Sequence, residues 1–334
     1  MIARMRGRTR VALGVALFAV LATGCAANSG PVNLAEVGQA QAPLPGGVLI
    51  GKAALPPEPG ATPNCANPTA SLRPPTTMPA PGHMPSGTTM AKIQRRGYLI
   101  AGVDQNTYLF GYRNPTTNNL EGFDIQMVRD VAAAIFGDPN KVVFKAITSA
   151  QRIDVLQKGE VDLVARTFTI SCARLQQVAF STVYFQAQRQ LLVRSDSTVN
   201  SIQGLGGKRV CATIGSDSLA PTPGEAHPPI PVAVNDWSDC LVMLQQGQVA
   251  GVSTDNTILA GMVAQDSNTK IVGKSIAPEP YGLAFPKSSN DFVAFVNGVL
   301  QKLRTNGDWT STYRTWVGSR LGAVPAPPAP TYSN

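Results

Sequence analysis

Thr167, Thr169 and Arg174 lie close together in the run Asp162-Leu163-Val164-Ala165-Arg166-Thr167-Phe168-Thr169-Ile170-Ser171-Cys172-Ala173-Arg174. The alternation of an extended chain puts the two threonine side chains on one face. Ser171 is a good N-cap, so Arg174 falls in a first helical turn, where free N–H groups and the positive end of the helix dipole point. Hydroxyls, free N–H groups and a planar guanidinium converging on one spot make a carboxylate-binding site. Upstream, Ser149-Ala150-Gln151-Arg152 supplies a second hydroxyl and a second arginine before another helix. The pair suggests a ligand with more than one anionic group. Either arginine alone reads equally as a solvated helix residue. Yet an acid is the better electrostatic choice at a helix start, and two arginines in that unfavourable place point to function.

Other chemistries have little to stand on. The two histidines are His83, among prolines, and His227, in a His-Pro-Pro loop, so neither suits a Ser-His-Asp relay. No His/Cys group has metal-ligand spacing, and no cofactor is expected. Gly46-Gly47-Val48-Leu49-Ile50-Gly51-Lys52-Ala53 mimics a phosphate loop but lacks the closing Ser/Thr and runs into Leu55-Pro56-Pro57 instead of a helix.

The elements that must position these residues alternate. Tyr98–Val103, Val142–Ala146 and Val161–Ala165 read as strands. Phe123–Phe136 reads as a helix, with Ile125, Val128, Val131, Ala132 and Ile135 on one face, and Arg152–Lys158 as another. After a crossing near Phe185–Leu191 the pattern restarts. Strands are expected at Arg209–Thr213, Val232–Val234 and Ala250–Ser253, and helices from Ser216, over Ser238–Gln246 and over Asn256–Ala264. The chain returns through Tyr281–Phe285 and ends in helices from Asp291 to Val317. Such alternation implies parallel sheets with helices on both faces, and ligands at the carboxyl ends of the strands.

At the N-terminus, Arg4, Arg6, Arg8 and Arg10 precede the uncharged stretch Val11–Thr23, which is thirteen residues long and short for a membrane span. This is a secretory signal over residues 1–24, and Leu21-Ala22-Thr23-Gly24-Cys25 resembles a lipobox, with Cys25 the lipidated first residue of a membrane-anchored lipoprotein. Ordinary cleavage with Cys25 incidental, or an uncleaved anchor, are the plainer readings. Removing four arginines and no acids takes the net charge from +8 to 8 − 4 = +4. The remaining basic residues are scattered, so nucleic acid is not an expected partner. Residues 26–90 hold 13 of the 27 prolines, and a tether over 25–90 is expected to be extended and mostly unpacked. The proline-rich tail, 321–334, is expected to be disordered. Four cysteines remain in an exported chain, and an even number favours disulfides. Of three pairings, Cys211–Cys240 within one unit and Cys65–Cys172, stapling the N-terminal extension beside the binding run, are preferred.

From Ala91 to Gly318 the chain resembles the family 3 extracellular solute-binding proteins of amino-acid ABC importers, especially the glutamate- and glutamine-binding lipoproteins of high-GC Gram-positive bacteria. The likeness rests on Gly102-Val103-Asp104, Gly122-Phe123-Asp124-Ile125, the Thr-x-Thr-x-x-x-x-Arg run at 167–174, Thr213-Ile214-Gly215-Ser216, Asp255-Asn256-Thr257-Ile258-Leu259-Ala260-Gly261 and Gly307-Asp308-Trp309, in that order. Gln126 stands where the family pattern has an acid.

The resemblance implies an α/β, two-lobed, type II periplasmic-binding-protein-like fold. Each lobe is a mostly parallel sheet flanked by helices, and two hinge strands join them: lobe 1 over 91–187 and 281–320, lobe 2 over 188–280. It implies that Arg174, with Thr169 and the backbone of Thr167, holds an amino acid's α-carboxylate, and that Asp255 holds its ammonium group. Asp255 alone would also serve as an N-cap. Thr213, Ser216, Ser149 and Arg152 match residues that read the side chain in acidic-amino-acid binders. Asp104 stands where some of those have an arginine. Tyr108, Phe110 and Tyr112 are candidates for an aromatic wall, or else core, and Arg166 has no assigned role. Trp237, Trp309 and Trp316 read as packing residues. The expected function is capture of glutamate, aspartate or their amides by lobe closure, by a monomer that presents the ligand to a membrane permease. A sensor serving a membrane receptor, an enzyme such as a cyclohexadienyl dehydratase on the same fold, and a structural envelope protein are the alternatives.

Overall fold

The structure, a computed structural model, describes residues 42–55, 65–220 and 226–333. The signal segment and Cys25 lie outside them. In chain order the elements begin with β1 (Leu49–Ile50), β2 (Ala70–Ser71), α1 (Thr89–Arg96), β3 (Leu99–Val103), β4 (Asn106–Thr107), β5 (Gly111–Arg113), β6 (Leu120–Glu121) and α2 (Phe123–Phe136). Next come β7 (Val142–Ala146), α3 (Arg152–Gln157), β8 (Leu163–Ala165), α4 (Cys172–Leu175), β9 (Val178–Phe180) and β10 (Phe185–Arg194). Then follow β11 (Arg209–Thr213), β12 (Ile230–Val234), α5 (Trp237–Gln245), β13 (Gly251–Asp255), α6 (Asn256–Gln265), β14 (Thr269–Tyr281) and β15 (Ala284–Pro286). The chain closes with α7 (Asn290–Asn306), α8 (Asp308–Trp316), α9 (Gly318–Leu321) and β16 (Thr331–Tyr332).

Among the described residues two sheets carry the architecture. One has the order β7-β3-β8-β15-β9, the other β1-β12-β11-β13-β10-β14. The strands at the centre of each βαβ unit are parallel: β3 with β7 and β8, β11 with β12 and β13. The returning strands β15 and β10 are antiparallel to their neighbours. Two crossings join the sheets, where β10 leaves at Phe185 and β14 returns at Tyr281, and these residues pair across the ladder. This is the two-lobed α/β fold with two hinge strands. Beneath the crossings lies an aromatic cluster of Phe110, Phe123, Tyr184, Phe185, Tyr281, Trp309 and Tyr313. Trp309 Nε1 donates to Tyr184 O at 2.7 Å, which satisfies the one polar atom the indole carries into that core.

Local sequence accounts for the helix that opens the first lobe. Helix α2 buries Ile125, Val128, Val131, Ala132 and Ile135, the stripe set by helical spacing. It starts at Gly122, with φ of 127°, where a Cβ would lie 2.2 Å from Phe110 O, so only glycine fits the entry. It ends at Gly137 in the left-handed conformation.

Three expectations are corrected. Residues 65–90 are packed, not an unpacked tether. Ser71 is buried and donates to Phe180 O at 2.7 Å, while the buried Asn297 of α7 donates to Ser71 Oγ and Leu72 O. Met84 and Met90 join the core of the first lobe, and Met78 packs against it. Upstream, β1 adds an antiparallel edge to β12. The tail is also partly ordered, since β16 pairs in parallel with β2 and Ser333 N donates to Ser71 O at 2.8 Å. Low apolar content says a segment cannot build its own core. It does not prevent the segment from lying on another's. The helix expected from Ser216 is a single 3-10 turn, Asp217–Leu219, which ends at an extended Ala220 before Pro221.

The disulfides are Cys65–Cys172 and Cys211–Cys240, with Cα–Cα separations of 5.7 and 5.6 Å. The first ties the packed extension to the turn carrying Arg174, and the second joins β11 to α5.

Candidate functional site

Between the sheets, where β8, β11 and β13 end, lies a narrow cavity of about 10 Å³. Ser149, Arg152, Thr167, Thr169, Arg174, Ser216 and Asp255 line it, together with Asp217, Ser218, Trp237, Ile258 and Glu279.

The cationic side is built on short turns. Ser171 caps α4, its Oγ accepting from Arg174 N. The Arg174 guanidinium lies over the Phe168 ring at 4.8 Å, and that of Arg152 over the same ring at 4.1 Å. A ring face of this kind stabilises partly desolvated cations. Arg174 donates to Thr169 O at 2.7 Å and reaches across the cleft to Asp217 Oδ2 at 2.8 Å and Gly215 O at 3.3 Å. Arg152 donates to Ser149 O and Gly215 O, both at 2.9 Å, and more weakly to Arg166 O and Thr167 O. Its hydrogen bonds thus go to carbonyl oxygens. Burial, and then the neighbouring Arg174 and Arg166 charges, push its pKa well below the usual arginine range.

The anionic side faces it. Asp255 precedes α6 in the N-cap position but makes no side-chain cap bond. Its Oδ2 instead accepts from Tyr281 Oη at 2.5 Å. Burial, reinforced by the nearby Glu279 carboxylate, raises its pKa to about 8. Glu279 accepts from Thr169 Oγ1 at 2.6 Å, and its pKa is also raised, first by burial. Two buried carboxylates side by side, one of them protonated near neutrality, form a site for a cation.

Several expected residues lie elsewhere. Thr213 is buried behind the cavity, its Oγ1 on Ser149 Oγ at 3.1 Å. Ser149 Oγ also accepts from Arg166 Nη1. Asp104 does not line the cavity. It accepts from Gln105 N, Asn106 N and Thr107 Oγ1 and forms an ion pair with the fully buried Arg166 at 2.9 Å. The previously unassigned arginine therefore holds Asp104, and neither is left for a ligand. Phe110 is core, and Tyr108 and Tyr112 pack on each other at 4.8 Å, so no aromatic wall forms there. The indole that does line the cavity is Trp237, buried in α5, and its Nε1 has no acceptor among the described residues.

Asp217, Glu279 and Trp237 escaped sequence reasoning. Asp217 directly follows Gly215-Ser216, and an acid at the end of a strand-to-turn glycine was the available signal. Glu279 sits between Pro278 and Pro280, which resembles a loop. The prolines are tolerated because β14 is an edge strand.

Comparison with known proteins fixes the class. Solved structures of the same fold include an ancestral arginine-binding protein bound to glutamine, 29% identical with a TM-score of 0.59, covering 67% of this chain and 99% of that one. A mutant of ArgBP from T. maritima is 25% identical with a TM-score of 0.62, covering 68% and 98%. These are type II periplasmic binding proteins. The family model of bacterial extracellular solute-binding proteins, family 3, matches residues 99–319, and the chain belongs to that family. The ABC transporter glutamine-binding protein GlnH of Bacillus subtilis (strain 168) is 35% identical over 230 residues, covering 69% of this chain and 84% of the relative. Glutamate-binding protein GluB of Corynebacterium glutamicum is 26% identical, covering 74% and 86%. The chain is thus a solute-binding protein of family 3, and the relatives it resembles are named for the binding of glutamine or glutamate.

Proposed function

We propose that this protein captures glutamate, aspartate, glutamine or asparagine in the cavity between its lobes and presents it to a membrane ABC permease. The observation that carries the reading is the opposition of Arg174 to Asp255 and Glu279 across one small cavity. An α-amino acid carries one carboxylate and one ammonium group, and this pairing matches both. Arg174, with the Thr167–Thr169 turn, takes the α-carboxylate by charge-assisted hydrogen bonds. Asp255 and Glu279 take the ammonium group. Arg152, whose bonds go to carbonyls alone, remains for an acceptor on the ligand side chain, which supports acidic or amide ligands over apolar ones. Ser149 and Ser216 line the same end.

Lobe closure is the step that completes the site, because Arg152 and Arg174 of one lobe both bond Gly215 O of the other. The ligand's carboxylate displaces Asp217 from Arg174 as it enters. The names of the relatives support glutamine or glutamate as ligand. The lipobox-like run ending at Cys25 supports an anchor on the outer face of the cell membrane, where a monomer would reach its permease. Calorimetric titration with the four amino acids tests the ligand assignment. Saturable binding by the wild type, lost at least 100-fold in a folded Arg174→Ala variant, is expected. Retained affinity in that variant would sink the carboxylate role of Arg174.

A further inference from the structure

Three residues other than glycine have positive φ among the described residues: Leu109, Asn118 and Thr167. Asn118 is in an exposed turn and of a type that tolerates the left-handed region. Thr167, at φ of 39°, is β-branched, and such a residue does not rest there unless its surroundings hold it. It is also the residue at which the cationic side of the cavity turns. Its carbonyl accepts from Arg152, and the chain then passes directly to Thr169 and Arg174.

What holds Thr167 is a single buried carboxylate. Asp124, in the first turn of α2 and fully buried, accepts from Thr167 N at 2.9 Å with Oδ2 and from Tyr184 Oη at 2.5 Å with Oδ1. The adjoining backbone steadies the second strained residue, since Phe123 N donates to Leu109 O at 2.9 Å. The contacts continue to the anionic side: Tyr184 N donates to Tyr281 O at 2.9 Å, and Tyr281 Oη donates to Asp255. One side chain outside the cavity therefore connects the turn on the cationic side with the crossing strands that bear on the anionic side.

We infer that Asp124 is a positioning residue for ligand binding, holding Thr167 in the left-handed conformation that aims the Thr167–Arg174 turn at the ligand carboxylate. The inference rests on the proposed amino-acid site, and its test separates the two. Without Asp124 the Thr167 N–H is buried without its acceptor, and the turn relaxes toward the ordinary β region. Arg152 loses a carbonyl partner, and the hydroxyl of Thr169 leaves its place. A glycine at 167 adopts positive φ without strain, so it no longer needs the carboxylate.

The experiment is a double-mutant cycle on the full chain, with affinities for L-glutamate and L-glutamine measured by calorimetry in wild type, Asp124→Ala, Thr167→Gly and the double variant. Asp124→Ala is expected to weaken binding at least tenfold in the wild-type background and less than threefold beside Thr167→Gly. Equal losses in both backgrounds, or no loss in the first, overturn the inference while leaving the amino-acid site in place. Absence of binding by the wild type to any amino acid overturns both. If Asp124→Ala does not fold, Asp124→Asn serves in its stead. Asn keeps a carbonyl acceptor for Thr167 N but not the charge, so a smaller loss, again relieved by Thr167→Gly, is expected. A loss that Thr167→Gly fails to relieve refutes the positioning role.

Discussion

Binding by this site is expected to strengthen as pH rises from 6 to 8, and the reason lies in Asp255. Its carboxyl is buried beside that of Glu279, and burial first, then the neighbouring charge, raise its pKa to about 8. Near neutrality the ligand-free pair therefore holds a proton, which the ligand's ammonium group must replace. With a pKa of about 8, ~1% of Asp255 is ionised at pH 6 and about half at pH 8. If ligand binds only the ionised form, affinity rises ~50-fold over that interval, or about 2 kcal/mol. The ligand's own ammonium group stays protonated throughout, and its carboxylate stays ionised. Asp124, raised by burial to about 7, bonds Tyr184 and Thr167 and does not line the cavity, so its proton is not exchanged on binding. Stability without ligand runs the other way. A carboxyl whose native pKa exceeds its unfolded value keeps its proton in the native state after the unfolded chain has released it, so the melting temperature falls as pH rises toward 8. Calorimetry at pH 6, 7 and 8 in buffers of different ionisation enthalpy measures both affinity and protons released, which should approach one per ligand at pH 7. Flat affinity with no proton release would show that Asp255 is ionised before ligand arrives, and would refute this account of the anionic side.

Two further variants bear on residues found only in the structure. Asp217→Ala removes the internal carboxylate that Arg174 holds at 2.8 Å across the cleft. The Asp217 side chain is 44% exposed, so the pair is worth about 1 kcal/mol, and its removal should tighten ligand binding ~5-fold; weaker binding would mean that Asp217 helps to hold the ligand. Trp237→Phe removes a buried N–H donor that has no acceptor among the described residues. If a ligand side-chain oxygen meets it, affinity for glutamate and glutamine should fall ~10-fold, in the range of one lost hydrogen bond. Unchanged affinity would return Trp237 to a packing role.

The residues read best from the sequence are those whose signal is local. The stripe on Phe123–Phe136 and the N-cap at Ser171 depend on spacing within one element and have the expected geometry, whereas Thr167 and Thr169 both line the cavity through a turn with Thr167 at positive φ and not through extended alternation. Asp255 was named through the family resemblance, with an N-cap role as the alternative, and it lines the cavity without capping the helix. What escaped depends on partners far along the chain. Asp104 looked free for a ligand because nothing near it in sequence announces Arg166, sixty-two positions on, which neutralises it in the interior. Glu279 looked like loop because its burial comes from the pairing of β14 with β10, where it faces Ala187. The proline-rich extension looked unpacked because its docking is supplied by Asn297 and by the terminal strand β16. Composition reports what a segment can bury by itself, and these segments are covered by others.

Thermal unfolding of the full chain against each of the twenty amino acids shows whether the opposed charges form an amino-acid site. A ligand at one hundred times its dissociation constant should add about 2.7 kcal/mol, a rise of several degrees for a protein of this size. Such a rise is expected with glutamate, aspartate, glutamine or asparagine, and little or none with leucine or lysine. A melting temperature unmoved by all twenty would contradict an amino-acid site.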